Sequence, residues 1–517
     1  MEIIFLIFSL CHMAMRTLAI AAVAAFAHAA TTTALPKESQ NGPRQYLTVR
    51  DQNKDQTDRT KRPTLRVDLD PTTQNIPANP ALAHLRPPEP RIPPTFDIFV
   101  GISAFRDGIR CGTTLLTAFQ RADHPDRVFF GVVDQVHPGD DTCLDSYCQQ
   151  AAAVWPNETT CRYKQQITVD TRPADESRGP TLARHYQQRL VGNQEFCLQV
   201  DAHSAFTKHW DTELVRDWNA TSNEMAILST YIHNINQNIL PDGTNKHAAQ
   251  STHLCQTKRG GFNNVRNVGA DLIYDSTMPQ MSALWGAGYS FGKCHAEKRV
   301  PVDSHTPWVF DGEEFQRASH LWTYGYDMYS PSVKGLMVYH NYTAVPAKFY
   351  QLPAATAKER SVEQERSNNR IKFLLGIPFQ GEIDAEELSK YTYGPVRSLA
   401  SYLKFAGVEF GPNATDNHSC YQLHWVPFEQ PETIEALLPG WRMSKATPKP
   451  TEVASTAATR RHKVETKKLR QQTVEMDRVE TPEYSSLSLV VLVCVIIVLV
   501  SAALLRENGR FDSAKTK

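Results

Sequence analysis

Apolar and polar positions along the middle of this chain fall into short alternating blocks. Residues 97–103, 127–133, 166–170 and 195–200 are apolar runs of strand length. Between them, residues 113–121 carry Leu115, Leu116 and Phe119 at helical spacing, and residues 179–191 read as a further helix. A strand–helix–strand order of this kind predicts an α/β fold built on a mostly parallel central sheet. Ligands of such sheets sit at the carboxyl ends of the strands. Ser103, Asp134, Asp170 and Asp201 all fall at or just past the predicted ends.

Different patterns mark the two ends of the sequence. Arg16 and Thr17 lead into an apolar stretch over residues 18–26, closed by Ala27-His28-Ala29. That pattern predicts a signal peptide over residues 1–29, with an uncleaved signal anchor as the alternative and Met15 as an alternative start. Residues 485–505 are almost wholly apolar and long enough for one transmembrane helix. Arg506, Arg510, Lys515 and Lys517 follow it, which predicts a cytosolic tail over residues 506–517 and a lumenal or external bulk. Residues 30–94 are polar and Pro-rich and read as a disordered stem. A globular part follows, divided into a main domain over residues 95–350 and an extension over residues 351–432. Residues 433–484 read as a juxtamembrane stalk, of which 460–480 is alternatively a charged helix.

Composition narrows the picture. The formal net charge is zero, so no electrostatic footprint for a nucleic-acid partner is present. Of ten cysteines, Cys11 and Cys494 lie in the terminal apolar stretches. The other eight are an even set on the lumenal side, where disulfides are favoured, with the pairing left open. Glycosylation acceptors at Asn157, Asn219, Asn341, Asn413 and Asn417 agree with a secretory route. No CxxC spacing occurs, which discounts a structural zinc site.

The candidate chemistry centres on Asp201 and His203. Residues two apart on a strand point the same way, so the pair could grip one cation while Ala202 turns into the core. A carboxylate and an imidazole suit Mn²⁺ or a similar divalent ion. The competing reading is an incidental polar pair at a strand end.

Several ordered motifs resemble one family. They are Phe99-Val100-Gly101-Ile102-Ser103 with Phe105-Arg106-Asp107, Arg178-Gly179-Pro180 with Ala183-Arg184, and Leu198-Gln199-Val200-Asp201-Ala202-His203. Then come Trp285-Gly286-Ala287-Gly288, Asp311-Gly312-Glu313-Glu314, Leu321-Trp322, Gly325-Tyr326-Asp327, Tyr393-Gly394 and Arg397-Ser398-Leu399. Together they resemble the GlcNAc-transferases that attach N-acetylglucosamine to hydroxyproline in polypeptides. The resemblance implies a GT-A-type nucleotide-sugar-binding fold and a retaining transfer from UDP-GlcNAc, or a related UDP-hexose, to a protein or glycan hydroxyl.

It also implies roles for named residues. Asp201 and His203 would hold Mn²⁺ against the donor diphosphate, with His340 as third ligand or, alternatively, a plain polar residue ending a strand. Arg178 and Arg184 would bind phosphate oxygens, or else are solvated charges. Ser103, Arg106 and Asp107 would lie beside the uridine, although Asp107 alternatively caps a helix. Trp285, Gly286 and Gly288 would line the sugar, since glycine lets backbone come close. Glu314 first, then Glu313 and Asp311, would orient the acceptor hydroxyl or donor sugar, against the reading of a charged turn entering a helix.

The rival class is a membrane-tethered carbohydrate or protein receptor on the same fold, without catalysis. A two-metal phosphoesterase needs more carboxylate and imidazole ligands than are found.

Overall fold

The computed structural model describes residues 44–50, 64–351, 357–411 and 414–445. The predicted signal segment, the apolar run at 485–505, the tail at 506–517 and the alternative helix at 460–480 lie outside the described residues.

In chain order the strands are β1 (Gln45–Arg50), β2 (Thr64–Leu69), β3 (Ile98–Phe105), β4 (Val128–Val136), β5 (Ile167–Pro173) and β6 (Phe196–Asp201). They continue with β7 (Ser204–Phe206), β8 (Ala226–Ser229), β9 (Gln250–His253), β10 (Thr257–Arg259) and β11 (Val265–Asn267). The last are β12 (Asp271–Tyr274), β13 (Gln280–Ser282), β14 (Tyr289–Lys293), β15 (Asp327–Ser330) and β16 (Val338–His340). The longer helices are α1 (Gly108–Arg121), α2 (Cys143–Val154), α3 (Pro180–Gln188), α4 (Trp210–Ala220), α5 (Glu313–Thr323), α6 (Ala357–Leu375) and α7 (Leu399–Ala406).

Eight strands form the central sheet, in the order β13-β15-β8-β14-β6-β3-β4-β5. Strand β3 runs parallel to both β4 and β6, in a register that sets Ser103 beside Asp201. The period-2 alternation of β3 sorts its side chains. Ile98, Val100, Ile102 and Ala104 join Leu115 and Phe119 of α1 in the main core, whereas Phe99 packs with Cys197 and Cys294 behind the other face. Helix α3 covers that second face. A side chain at Gly101 would strike Gln187, and one at Gly131 would strike Phe99 and Leu190. The helix lies this close only because the sheet is bare there.

Four of the seven pairings in the central sheet are parallel, as expected, while β14 inserts antiparallel between β6 and β8, and β13 pairs antiparallel with β15. The expected fold class is corrected on one point: the transmembrane helix is not supported, since no helix among the described residues is long and apolar enough to cross a membrane. Helix α6 has 19 residues, but its Lys358, Glu359, Arg360, Glu363, Glu365 and Arg366 suit water and not lipid.

The span expected as a disordered stem also differs. Strand β1 lies between β2 and β12 in a four-stranded sheet that continues to β9. Leu47 and Leu69 are buried there with Ile273, Cys255 and Cys420. Likewise, a short helix over Glu432–Leu437 buries Ile434, so the ordered chain runs beyond the expected start of the stalk. Four disulfides join Cys111 to Cys143, Cys148 to Cys161, Cys197 to Cys294 and Cys255 to Cys420. Such a set belongs to a secreted or lumenal protein.

Candidate active site

Asp201 ends β6, and His203 sits in the turn before β7. Strand β16 pairs antiparallel with β7 and sets its last residue, His340, opposite Ser204. One ligand atom each from Asp201, His203 and His340 lies within 4.8 Å of the others. His340 Nε2 is 3.1 Å from Asp201 Oδ2. His203 Nδ1 is 3.0 Å from Asp107 Oδ2, which leaves Nε2 as that ring's other donor atom. An imidazole steadied on one nitrogen by a carboxylate is a usual arrangement around bound metal. One oxygen and two nitrogen donors, so grouped, fit Mn²⁺ or another divalent cation.

Burial works to raise the pKa of Asp201, but the His340 hydrogen bond and the charges of Arg184 and His203 hold it well below the usual carboxylate range. Asp107 is also lowered. Its burial is outweighed by hydrogen bonds from His203 and Arg110.

Clefts open on either side of this trio. One, of about 350 Å³, is bounded by Tyr231, Arg266, Phe310, Asp311, Glu314 and Tyr342, with Asp201 and His340 in its wall. The other, of about 440 Å³, is bounded by Ser103, Phe105, Asp107, His203, Lys348 and Tyr350. Arg184, Asp201 and Phe310 line both. Arg184 Nη1 donates to Glu313 Oε1 at 2.5 Å, and its Nη2 lies 3.6 Å from Asp201 Oδ1.

The carboxylates of the Asp311–Glu314 turn differ from one another. Glu313 is buried against Arg184, and burial raises its pKa. Glu314 Oε1 accepts from the Ala287 amide at 2.9 Å, while Oε2 accepts from the Tyr231 hydroxyl and from Asn267 Nδ2 at 3.1 Å. Burial pushes its pKa up to about 7, against the pull of those bonds. Asp311 Oδ2 accepts from the Gly261 amide at 2.6 Å, and its Oδ1 pairs with Arg266 at 3.1 Å. Gly312 permits the turn, with φ of 104°.

The other sequence candidates divide. Ser103 and Asp107 reach the larger cleft, although Ser103 Oγ donates to Gln187 at 2.9 Å. Asp107 precedes α1 without a side-chain capping bond, because its carboxylate is taken by Arg110 and His203. Gly288 is a close-approach position, since a Cβ there would sit 2.9 Å from Asp201 Oδ2.

Four expected donor contacts lie elsewhere. Arg106 lines neither of these clefts and forms a fork on Asp140 at 2.7 and 2.9 Å. Arg178 turns to the carbonyls of Asp175 and Ser177 and to Glu363. Trp285 is buried, its indole N–H bonded to Ser290 Oγ at 2.9 Å. At Gly286 a Cβ would meet the Thr230 carbonyl at 2.9 Å, so bareness there serves packing. Tyr231, Asn267 and Arg266 were missed by sequence reasoning, since they stand in no local motif and meet the turn only through folding.

The family model for Glycosyltransferase (GlcNAc) matches residues 97–159 and 146–411, together more than half of the chain. The chain belongs to this glycosyltransferase family. No curated protein matches the sequence. Among solved structures, this glycosyltransferase is similar to GalNAc-T7 crystallised with UDP, GalNAc and Mn²⁺, at 13% identity and a TM-score of 0.37. That match covers 60% of this chain and 57% of the other, so the chain spans little more than half the length of the GalNAc-T7 chain. It is also similar to TarS 1-349 of S. aureus, at 11% identity and TM-score 0.32, over 57% of this chain and 70% of that one. A mannosyltransferase from Pyrobaculum calidifontis in complex with GDP-Man and Mn²⁺ matches at 14% identity and TM-score 0.30, over 62% and 76%.

Proposed function

We propose that this glycosyltransferase moves N-acetylglucosamine, or a related hexose, from a UDP-sugar to a hydroxyl of a protein or glycan in the lumen of the secretory pathway. Anomeric configuration is retained, and Mn²⁺ or another divalent cation is required. The observation that carries the reading is the grouping of Asp201, His203 and His340 between two clefts. The larger, floored by the end of β3, suits a nucleoside diphosphate, and the smaller suits the sugar with its acceptor. A cation held there would neutralise charge developing on the leaving diphosphate.

The protein's own groups do the rest by position. Arg184 lines both clefts and brings a fixed positive charge to the diphosphate, kept in place by Glu313. Glu314 has both oxygens engaged, so it fixes the Ala287 backbone beside the sugar and holds no substrate proton. Asp311 and Glu313 are likewise committed to neighbouring groups. With the cleft's carboxylates engaged, front-face attack is favoured. The acceptor oxygen bonds to the anomeric carbon, that carbon's bond to the phosphate oxygen breaks, and the acceptor proton passes to the departing phosphate.

The test uses the full chain with UDP-GlcNAc, MnCl₂ and secreted glycoproteins as acceptors. UDP release should stop with EDTA and fall by about three orders of magnitude in Asp201→Ala, with secretion and melting temperature retained. Wild-type turnover by that variant would reject the metal assignment. Sugar or peptide binding without any UDP release would favour a receptor instead.

A further inference from the structure

Exposed aromatic rings occur at several places on the described surface, Phe373 and Tyr421 among them, and three lie in or next to the smaller cleft. Phe310, Tyr342 and Phe262 are 63%, 56% and 45% exposed, and the first two line the smaller cleft. Phe262 follows directly on Gly261, whose amide is bonded to Asp311 in the same cleft. Tyr342 is held by a 2.7 Å bond from its hydroxyl to the Ile232 carbonyl, and its ring lies 4.2 Å from that of His340.

Part of the backbone near these rings is left-handed. Phe262 and Asn263 have φ of 56° and 61°, and Phe310 lies between Trp308 at 64° and Gly312 at 104°. Left-handed backbone costs a non-glycine residue roughly 1–2 kcal/mol. Residues kept in that state beside exposed rings, at the mouth of a cleft, point to a ligand that covers them.

We infer that this mouth is an acceptor subsite for carbohydrate, in which a pyranose ring stacks on Phe310, flanked by Phe262 and Tyr342. The inference rests on the transferase reading for its role, but it concerns binding that can be measured without turnover. A pyranose carries C–H bonds on its faces and hydroxyls around its edge. The faces suit the electron-rich face of an aromatic ring. The edge needs acceptors and donors at fixed places. The Asp311–Arg266 pair, 3.1 Å apart, presents a guanidinium beside a carboxylate whose bonds to Gly261 and Arg266 leave a lone pair on each oxygen for a hydroxyl. A proline-rich peptide would use the rings but leave that pair unmatched. At about 350 Å³ the cleft is near the lower end of small-molecule sites, roughly 300–1,000 Å³, which suits one or two sugar rings.

Saturation-transfer NMR on the full chain, with methyl glycosides of mannose, galactose and N-acetylglucosamine and with the oligosaccharide Man₅GlcNAc₂, tests the proposal. At least one of these probes should bind the wild type, Phe310→Ala should weaken it about tenfold or more, and Phe310→Trp should retain it. Phe262→Ala should weaken it too while keeping wild-type affinity for UDP, which separates this surface from the donor cleft. Binding of a glycoside by a protein that releases no UDP would sink the transferase reading and leave the subsite standing. The proposal fails if no probe binds below about 10 mM, if Phe310→Ala binds as well as wild type, or if an unglycosylated proline-rich peptide displaces the sugar.

Discussion

Replacing Gly288 by alanine is a sensitive probe of the ion site, because it alters no ligand. The added Cβ would sit 2.9 Å from Asp201 Oδ2 and 3.5 Å from its Cγ. Ordinary contact begins near 3.4 Å, so the oxygen must retreat by about 0.5 Å (3.4 − 2.9). The backbone is the poorer candidate to move, since Tyr289, the next residue, is locked against Val200 in the sheet. The carboxylate therefore swings, and it swings relative to His340 Nε2, now 3.1 Å from the same oxygen. Disturbing the support of a ligand typically lowers metal affinity by 10–100-fold, or about 1.4–2.7 kcal/mol. Titrating MnCl₂ into the EDTA-stripped protein by calorimetry should show that loss, with melting temperature nearly unchanged. UDP release should recover as Mn²⁺ is raised. Wild-type Mn²⁺ affinity in Gly288→Ala would refute the placement of the cation beside Asp201.

Two further outcomes concern stability. Asp134 is fully buried, with Oδ2 accepting from the Cys143 amide at 2.7 Å and Oδ1 unpartnered among the described residues. Burial pushes its pKa up to about 6, so the folded state binds the proton more tightly than the unfolded chain does. Its ionisation then costs stability as pH rises from about 4 through 6, so Asp134→Asn should be more stable at pH 7.5 by about 2–3 kcal/mol. Urea unfolding at pH 4.5, 6 and 7.5 checks this, and a gap that fails to narrow toward acid would count against it. Opening the Cys255–Cys420 bridge by a double change to alanine should cost about 2–5 kcal/mol. Limited proteolysis should then cut first between residues 408 and 425, and unchanged resistance would contradict a stapling role.

The parallel strands β3 to β6 were legible because buried strands leave continuous apolar runs. Strand β14 was not, since Tyr289–Lys293 is short and Ser290, Gly292 and Lys293 interrupt any apolar run there. Strand β1 was hidden differently. Leu47 and Val49 alternate with Tyr46 and Thr48 as a half-buried strand should, but they stand within a polar, Pro-rich stretch that reads as linker. At the site, Asp201 and His203 could be read from their spacing and His340 from its place after an apolar run. The Asp311–Glu314 turn was visible as a cluster, whereas its roles depend on Tyr231, Asn267, Ala287 and Arg184, tens of residues away. Arg106 shows the opposite failure. Its place after β3 suggests donor contact, yet the chain returns Asp140 to occupy it.

The β1 strand carries a consequence for anyone shortening this protein. Starting at residue 95, where the polar, Pro-rich leader gives way to apolar blocks, would strip β12 of a neighbour along Tyr274, Ile273 and Leu272. It would also break the Gln45–Gln280 amide contact and uncover Ile273. A bare, apolar ladder of unpaired amides recruits other copies of itself. Poor solubility of such a fragment would then report a missing edge guard and not a weak catalytic core.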